Sequence, residues 1–425
     1  MLSTDAVMSA ASDLLGNRLG GQPHLSDPED LGGSGSALVL RARVATNPFL
    51  HERTVIIKQL PPESLSGPDP ALVREIVAYQ FTNSLANESR PGPVMLAYDL
   101  DKRLMVTTDA GSVDNLIDVW NTSSDDDKAK LVRRLGTSLG RMHRATAGAE
   151  DDFATLLRRM MSRAKAGREL VVARGRVLTD AIDYGLSMVG KLGVEVPAEV
   201  SDFAADSSRR LASGQHRAFT PFDLSPDNIL CGNHRITYLD FEWAGFRDVT
   251  FDVACVIAGF PQYAEGTALN GELSRKFVDA WRHEVSGMWP NVLNDERLRA
   301  RIVTALVGWS LLSLAILEAG GLTALIDKVR LTTDSSEDNA SAGGTVGTKD
   351  SEDSDLDRSI DFRGQHILHG RARTRDQLVI RRDIIQTFEA LGALAERGQD
   401  PRFPAVSAFS REVCTAVRNL ERSGS

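Results

Sequence analysis

Three polar groups in the stretch Pro221–Gly245 could do chemistry, the carboxylates of Asp223 and Asp240 and the amide of Asn228. The stretch reads P-F-D-L-S-P-D-N-I-L, a short polar turn, then I-T-Y-L-D-F-E-W-A-G. Asp223 and Asn228 come at the start of one apolar run, Asn228–Cys231, and Asp240 follows a second, Ile236–Leu239. Gly232-Asn233-His234-Arg235 joins the runs, and alternating apolar residues across such a break predict a tight β-ribbon. Oxygen-bearing groups folded close by one hairpin suit a hard divalent cation and a reacting hydroxyl.

The spacing narrows the chemistry. Asp223-x-x-x-x-Asn228 has the form of a kinase catalytic loop, and Asp240-Phe241-Glu242 stands where a metal-binding D-F-G would follow. On these residues the chain resembles the aminoglycoside phosphotransferase and choline kinase family, the small-molecule branch of the protein-kinase-like fold. The resemblance implies an α+β, bilobal protein-kinase-like fold. A small N-terminal antiparallel β-sheet lobe with one helix would precede a larger, mainly helical C-terminal lobe. It also implies ATP (or GTP) and Mg²⁺ as cofactors and a small-molecule hydroxyl as acceptor. Asp223 would orient or accept the acceptor proton, Asn228 and Asp240 would hold Mg²⁺, and Glu242 could assist a second metal or orient water.

Two departures stand out. The family usually writes H-x-D, and this chain has Pro221-Phe222-Asp223; Ser225 stands where the family often has His. The missing histidine bears on loop rigidity more than on proton chemistry. A nucleotide-binding pseudokinase acting as scaffold or regulator is the alternative reading. A protein kinase is disfavoured, since neither A-P-E nor D-F-G follows Asp240.

Elements that could position these groups lie upstream. Thr54–Lys58 is a β-branched strand ending in lysine, and the following helix, Pro70–Leu85, carries Glu75. The family pairs a strand lysine with a helix glutamate, so Lys58 would grip nucleotide phosphates and Glu75 would hold Lys58. Gly32-Gly33-Ser34-Gly35-Ser36 precedes the strand Ala37–Val44. Its glycines admit close backbone approach to phosphate, with Gly33, Ser34 and Gly35 as the implied roof, though a Gly/Ser hairpin tip reads the same way. A hairpin over Val94–Leu100 and Arg103–Thr107 leads into Thr108-Asp109-Ala110-Gly111. There the family's linker would meet the nucleotide base, through Thr108 and Ala110. The implied division is residues 1–107 as nucleotide-binding lobe, 108–111 as hinge and 112–425 as helical lobe.

The rest is mostly helical by period. Ala6–Leu15 predicts a helix and Pro23–Asp30 a polar turn. Asp125–Thr146 starts behind Ser124 with three aspartates in its first turn, favourable to the helix dipole. His143 on its buried edge reads as a packing or hydrogen-bonded histidine. Phe153–Arg174, Val177–Leu192, Ala198–Leu211, Leu273–Trp289, Asp376–Arg397 and Ala405–Arg422 follow. Asp252 in F-D-V-A matches the family's helix-start aspartate that steadies the catalytic loop. The insertion 332–357 is Ser-, Thr- and acid-rich, too poor in apolar surface to order itself. His366 and His369 lack a third ligand nearby and read as a loop coincidence.

Composition excludes some classes. The net charge of −9 is mostly local, because residues 331–360 hold eight acidic residues against Lys349 and Arg358. With no basic surface implied, nucleic-acid binding is disfavoured. Cys231, Cys255 and Cys414 are scattered and lack metal or redox spacing. Together with an N-terminus lacking a basic, signal-like flank, they lead us to expect a cytoplasmic protein. Ile302–Leu317 is uncharged over sixteen residues, short of the roughly 18 a spanning helix needs. It reads as a buried helix, so no membrane partner is expected. Oligomeric state and the identity of the acceptor stay open.

Overall fold

The computed structural model describes every residue except 1, 22, 33–36, 62–69, 165–167, 264–265, 322–323, 327–366, 369–371, 373 and 422–425, and except the side chains of 168–175. The insertion 332–357, His366, His369 and the loop 33–36 therefore lie outside the described residues. The chain forms two compact units. One comprises Met1–Arg168, Ser213–Phe260 and Gly266–Ile302; the other comprises Glu169–Ala212, Pro261–Glu265 and Val303–Ser425.

The first unit is built on a five-stranded sheet of order β1-β2-β3-β5-β4. The strands are β1 (Leu25–Asp30), β2 (Leu38–Val44), β3 (Thr54–Gln59), β4 (Met95–Asp99) and β5 (Leu104–Thr108), every neighbouring pair antiparallel. Alternation decides what each face carries. In β3, Val55, Ile57 and Gln59 are buried while Thr54, Ile56 and Lys58 are half-buried on the other face. The helix α1 (Thr4–Leu19), capped by Ser3, packs Val7, Ala11 and Leu15 into a core with Leu40, Ala42, Val55, Ile57 and Val106. A second helix, α2 (Pro70–Asn83), supplies Glu75 and buries Leu72, Val73, Ile76 and Val77.

One expectation needs correcting. Pro23–Asp30, read as a polar turn, contributes β1, paired with β2 from Leu25↔Val44 to Asp30↔Leu40. The register breaks between Ser26 and Glu29, and Asp27 takes a positive φ of 50°. A bulge on an edge strand tolerates Pro28, which has no N–H to give. Such a strand shows no alternation to read.

Helices complete the unit: α3 (Leu116–Thr122), α4 (Asp125–Thr146) and α5 (Glu150–Ala164), then α8 (Thr250–Ile257) and α9 (Gly271–Val285). The cap of α4 is the expected one, Ser124 Oγ accepting from Asp127 N at 3.3 Å. α4 and α9 touch backbone to backbone. A Cβ on Gly136 would fall 2.4 Å from the Phe277 carbonyl oxygen, and one on Gly140 would fall 2.7 Å from Glu284 Cβ. Glycine is required there by close approach. The contact buries His143, whose Nδ1 accepts from Trp281 Nε1 at 3.0 Å while Nε2 lies 3.1 Å from Asp252 Oδ2. An indole only donates, so the imidazole proton sits on Nε2 and is given to Asp252. Asp252 is thus bonded to α4.

The second unit holds α7 (Ala198–Ala212), α11 (Arg375–Ala395), α12 (Phe403–Asn419) and all but the first residue of α6 (Arg168–Lys191). Of the helical pattern Phe153–Arg174, the residues up to Ala164 fall in α5 and 168–174 fall in α6. Phe203 of α7 lies 6.1 Å from Phe403 of α12, and Phe388 lies 6.0 Å from Phe409, centroid to centroid. The apolar run 302–317 forms most of α10 (Asp295–Ala319), and its most apolar window is 94% buried. It is a helix long and apolar enough to cross a membrane, spent here on the interior.

Candidate active site

The stretch Pro221–Gly245 is pinched at two levels. At its base, β6 (Arg217–Thr220) pairs with β9 (Gly245–Asp248), Thr220 opposite Gly245. Within it, β7 (Ile229–Cys231) pairs with β8 (Ile236–Tyr238), the expected ribbon. Leu239 N donates to the Asn228 carbonyl at 2.9 Å, closing the ribbon's open end. What remains are two loops side by side, 221–228 with Asp223 and Asn228, and 239–244 with Asp240 and Glu242.

Lys58 reaches this corner from β3. Its Nζ donates to both Glu75 oxygens at 3.0 Å and to Asp240 Oδ1 at 2.8 Å. Glu75 is 2% exposed, Lys58 19% and Asp240 36% by side chain. Burial opposes the ammonium charge, but Glu75 and Asp240 outweigh it and hold the Lys58 pKa above its ordinary value. Burial raises the Glu75 carboxyl too, to about 8, Lys58 pulling the other way and Asp240 adding to the rise. An ammonium bridging two carboxylates from different segments is a preorganised place for anionic phosphate oxygens.

Asp223 accepts a hydrogen bond from Ser225 N at 3.2 Å. Burial, and then the Asp240 charge, push its carboxyl from the usual 3.8 up to about 7. Glu242 and Asp227 add to the repulsion. Asp240, Glu242 and Asp227 thus all act on Asp223, and Lys58 pairs with Asp240 of these; carboxylate oxygens of this kind suit a hard cation. Asp227 Oδ1 is buried with no hydrogen-bond partner among the described residues, a further oxygen beside Asn228. Among the described residues no three His, Cys, Asp or Glu side chains converge as a metal cluster. Asn228 and Asp240 would therefore share Mg²⁺ with phosphate oxygens and water, which is how Mg²⁺ is ordinarily bound. The residues fit the ion.

Pro221 cannot do what the family's histidine does, and the structure shows another brace that sequence reasoning missed. Arg247 of β9 donates to Thr220 Oγ1 at 3.2 Å and to the Trp243 carbonyl at 2.8 Å. Its guanidinium lies 4.6 Å from the Phe222 ring centroid. One side chain thus ties the two loops together. Burial, then the nearby Arg74 charge, bring its pKa down to about 9. Phe222 and Asp240 both take positive φ, 68° and 58°, rare for such residues and concentrated where surroundings over-determine the backbone.

The remaining expected residues are placed as follows. Gly33, Ser34 and Gly35 lie outside the described residues. Thr108 ends β5 and is tied to Val94 twice, N to O at 2.9 Å and Val94 N to Thr108 Oγ1 at 3.0 Å. Its own N–H is thus committed, whereas Ala110 is exposed. Arg41 of β2 holds the linker between them, donating to Asp109 Oδ2 at 2.8 Å and to the Gly111 carbonyl at 3.2 Å. Burial of Asp109 is outweighed by the Gly111 N–H and by Arg41, which keep its carboxyl below the ordinary value. An arginine at this strand position carries no sequence signal.

Residues 78–285 match the model of the phosphotransferase enzyme family. That stretch holds Asp223, Asn228 and Asp240, three of the residues on which the resemblance rests. No curated protein matches the chain. Among solved structures, a choline/ethanolamine kinase family protein from Mesorhizobium loti is 15% identical, covering 91% of this chain and 93% of its own at a TM-score of 0.42. The gentamicin complex of APH(2'')-IIa is 15% identical over 80% and 98%, with a TM-score of 0.43. A choline kinase from Cryptosporidium parvum is 9% identical over 74% and 90%, with a TM-score of 0.41.

Proposed function

We propose that this protein is an ATP-dependent phosphotransferase that moves the γ-phosphate to a hydroxyl of a small molecule, such as an aminoglycoside-like antibiotic or another hydroxylated metabolite. The observation that carries the reading is the Lys58 ammonium bridging Glu75 and Asp240 at 2.8–3.0 Å, beside a loop bearing Asp223. Residues 1–107 would bind the nucleotide, with the main chain at 108–111 meeting its base. Lys58 would neutralise phosphate oxygens and Glu75 would fix its position. Asp223 would orient the acceptor hydroxyl and take its proton as the new O–P bond forms and the bond to the ADP oxygen breaks. A carboxyl poised near 7 suits that exchange. Mg²⁺ held by Asn228 and Asp240 would offset charge on the phosphate oxygens.

The test is turnover of Mg-ATP by purified protein across a panel of hydroxylated acceptors, with Asp223→Asn alongside. Acceptor-dependent ADP release that vanishes in the variant supports the reading. Nucleotide binding with no turnover in either form points to the scaffold alternative.

A further inference from the structure

A cavity of about 490 Å³ lies between the loop Asn87–Pro91, one face of α4 and the turn end of the ribbon, residues 234–236. It shares no lining residue with the cluster of Lys58, Glu75, Asp223 and Asp240. Five arginines line it (Arg90, Arg133, Arg134, Arg141 and Arg235) against one carboxylate, Glu88. That is a dense positive charge in a chain of net charge −9.

The bonds these arginines make fix them without cancelling them. Arg90 donates to the Leu85 carbonyl at 3.0 Å, and Arg134 to the Gly232 carbonyl. Arg235 donates to Asn87 Oδ1 at 3.1 Å and to the carbonyls of Arg90 and Gly92. All of these acceptors are neutral. Arg141 donates to a carboxylate, Glu284 at 3.1 Å. Arg133 is exposed and makes no hydrogen bond among the described residues, and Glu272 lies within reach of its charge. Arg90 Nε is buried with no acceptor among the described residues. Burial and the Arg90 charge hold Arg235 below the ordinary arginine value, the mark of like charges kept close. Guanidinium forks match phosphate oxygens in geometry and charge, and a space of this size exceeds a lone phosphate and falls within the ~300–1,000 Å³ of small-molecule pockets.

We propose that this cavity is a second binding site, separate from the phosphoryl-transfer site, for a phosphorylated small molecule carrying two or more negative charges. The site stands on its own geometry, whatever reaction the Lys58 cluster performs. Calorimetric titration of the full chain with pyrophosphate, with and without saturating Mg-ADP, tests it. Arg133→Glu is the probing variant, because its exposed position leaves the fold intact; Arg133→Lys is the charge-preserving control, and Lys58→Met reports on the other site. The expected result is a site that persists in Lys58→Met and under Mg-ADP, is largely kept by Arg133→Lys, and weakens about tenfold or more in Arg133→Glu. Absence of pyrophosphate binding would overturn the proposal. So would binding that disappears with Lys58→Met and ignores Arg133→Glu.

Discussion

Replacing Asp223 by Asn should stabilise the unliganded protein increasingly as pH rises, while removing turnover. Burial and the Asp240 charge carry the Asp223 carboxyl from 3.8 to about 7. A folded-state value above the unfolded one means that the folded protein holds this proton more tightly. The stability it confers is then fully present below about pH 4 and is lost as pH rises through 7. At about 1.4 kcal/mol per pH unit, the wild-type carboxylate costs at most about 4 kcal/mol above pH 7. Partial exposure of the side chain brings this to ~1–3 kcal/mol. Asparagine has no charge to bury and escapes the cost, and Glu75, present in both proteins, cancels from the comparison. Urea unfolding of both proteins in Mg²⁺-free buffer between pH 4 and 8.5 should show a gap that is smallest at pH 4, widens to pH 7 and then levels. Growth of the gap is the decisive quantity, since the amide itself adds a constant offset. A gap independent of pH, or one that narrows as pH rises, would refute the electrostatic account of the site.

Other perturbations separate the parts. Lys58→Met removes three charge-assisted contacts and should lower kcat/KM for ATP by about 10²–10³-fold, read by ADP release at limiting nucleotide. Arg247→Met unties the two loops; kcat should fall by about tenfold or more with the nucleotide KM little changed. Arg247→Lys should not rescue it, because a lysine cannot reproduce both the fork and the stacking on Phe222. Gly136→Ala drives a methyl into the Phe277 carbonyl and should cost about 1–3 kcal/mol of stability. A thermal melt checks this, with activity per folded molecule preserved.

Local pattern accounts for what could be read in advance. The ribbon was legible because two apolar runs flank a Gly-Asn turn, and its strands fall within a residue of the expected bounds. Asp125–Thr146 was legible to the residue, since Ser124 and three aspartates mark its start. The contact between Lys58 and Glu75 was legible through the resemblance, a lysine-ended strand followed by a glutamate-bearing helix. What sequence could not show is what depends on distant partners. β1 hides behind a bulge and Pro28. Arg247 and Arg41 act through carbonyls and hydroxyls that no spacing rule names. His143 was expected to be hydrogen-bonded, but its partners, Trp281 and Asp252, come from more than a hundred residues away.

The central claim is that Lys58, Asn228 and Asp240 together receive a magnesium–nucleotide complex. Calorimetric titration of the full chain with ATP, in EDTA and then in excess Mg²⁺, tests it most directly when repeated on Asp240→Asn. The account predicts binding that tightens with Mg²⁺ in the wild type and loses that tightening in the variant. ATP binding equally in all four conditions, or in none, would contradict it.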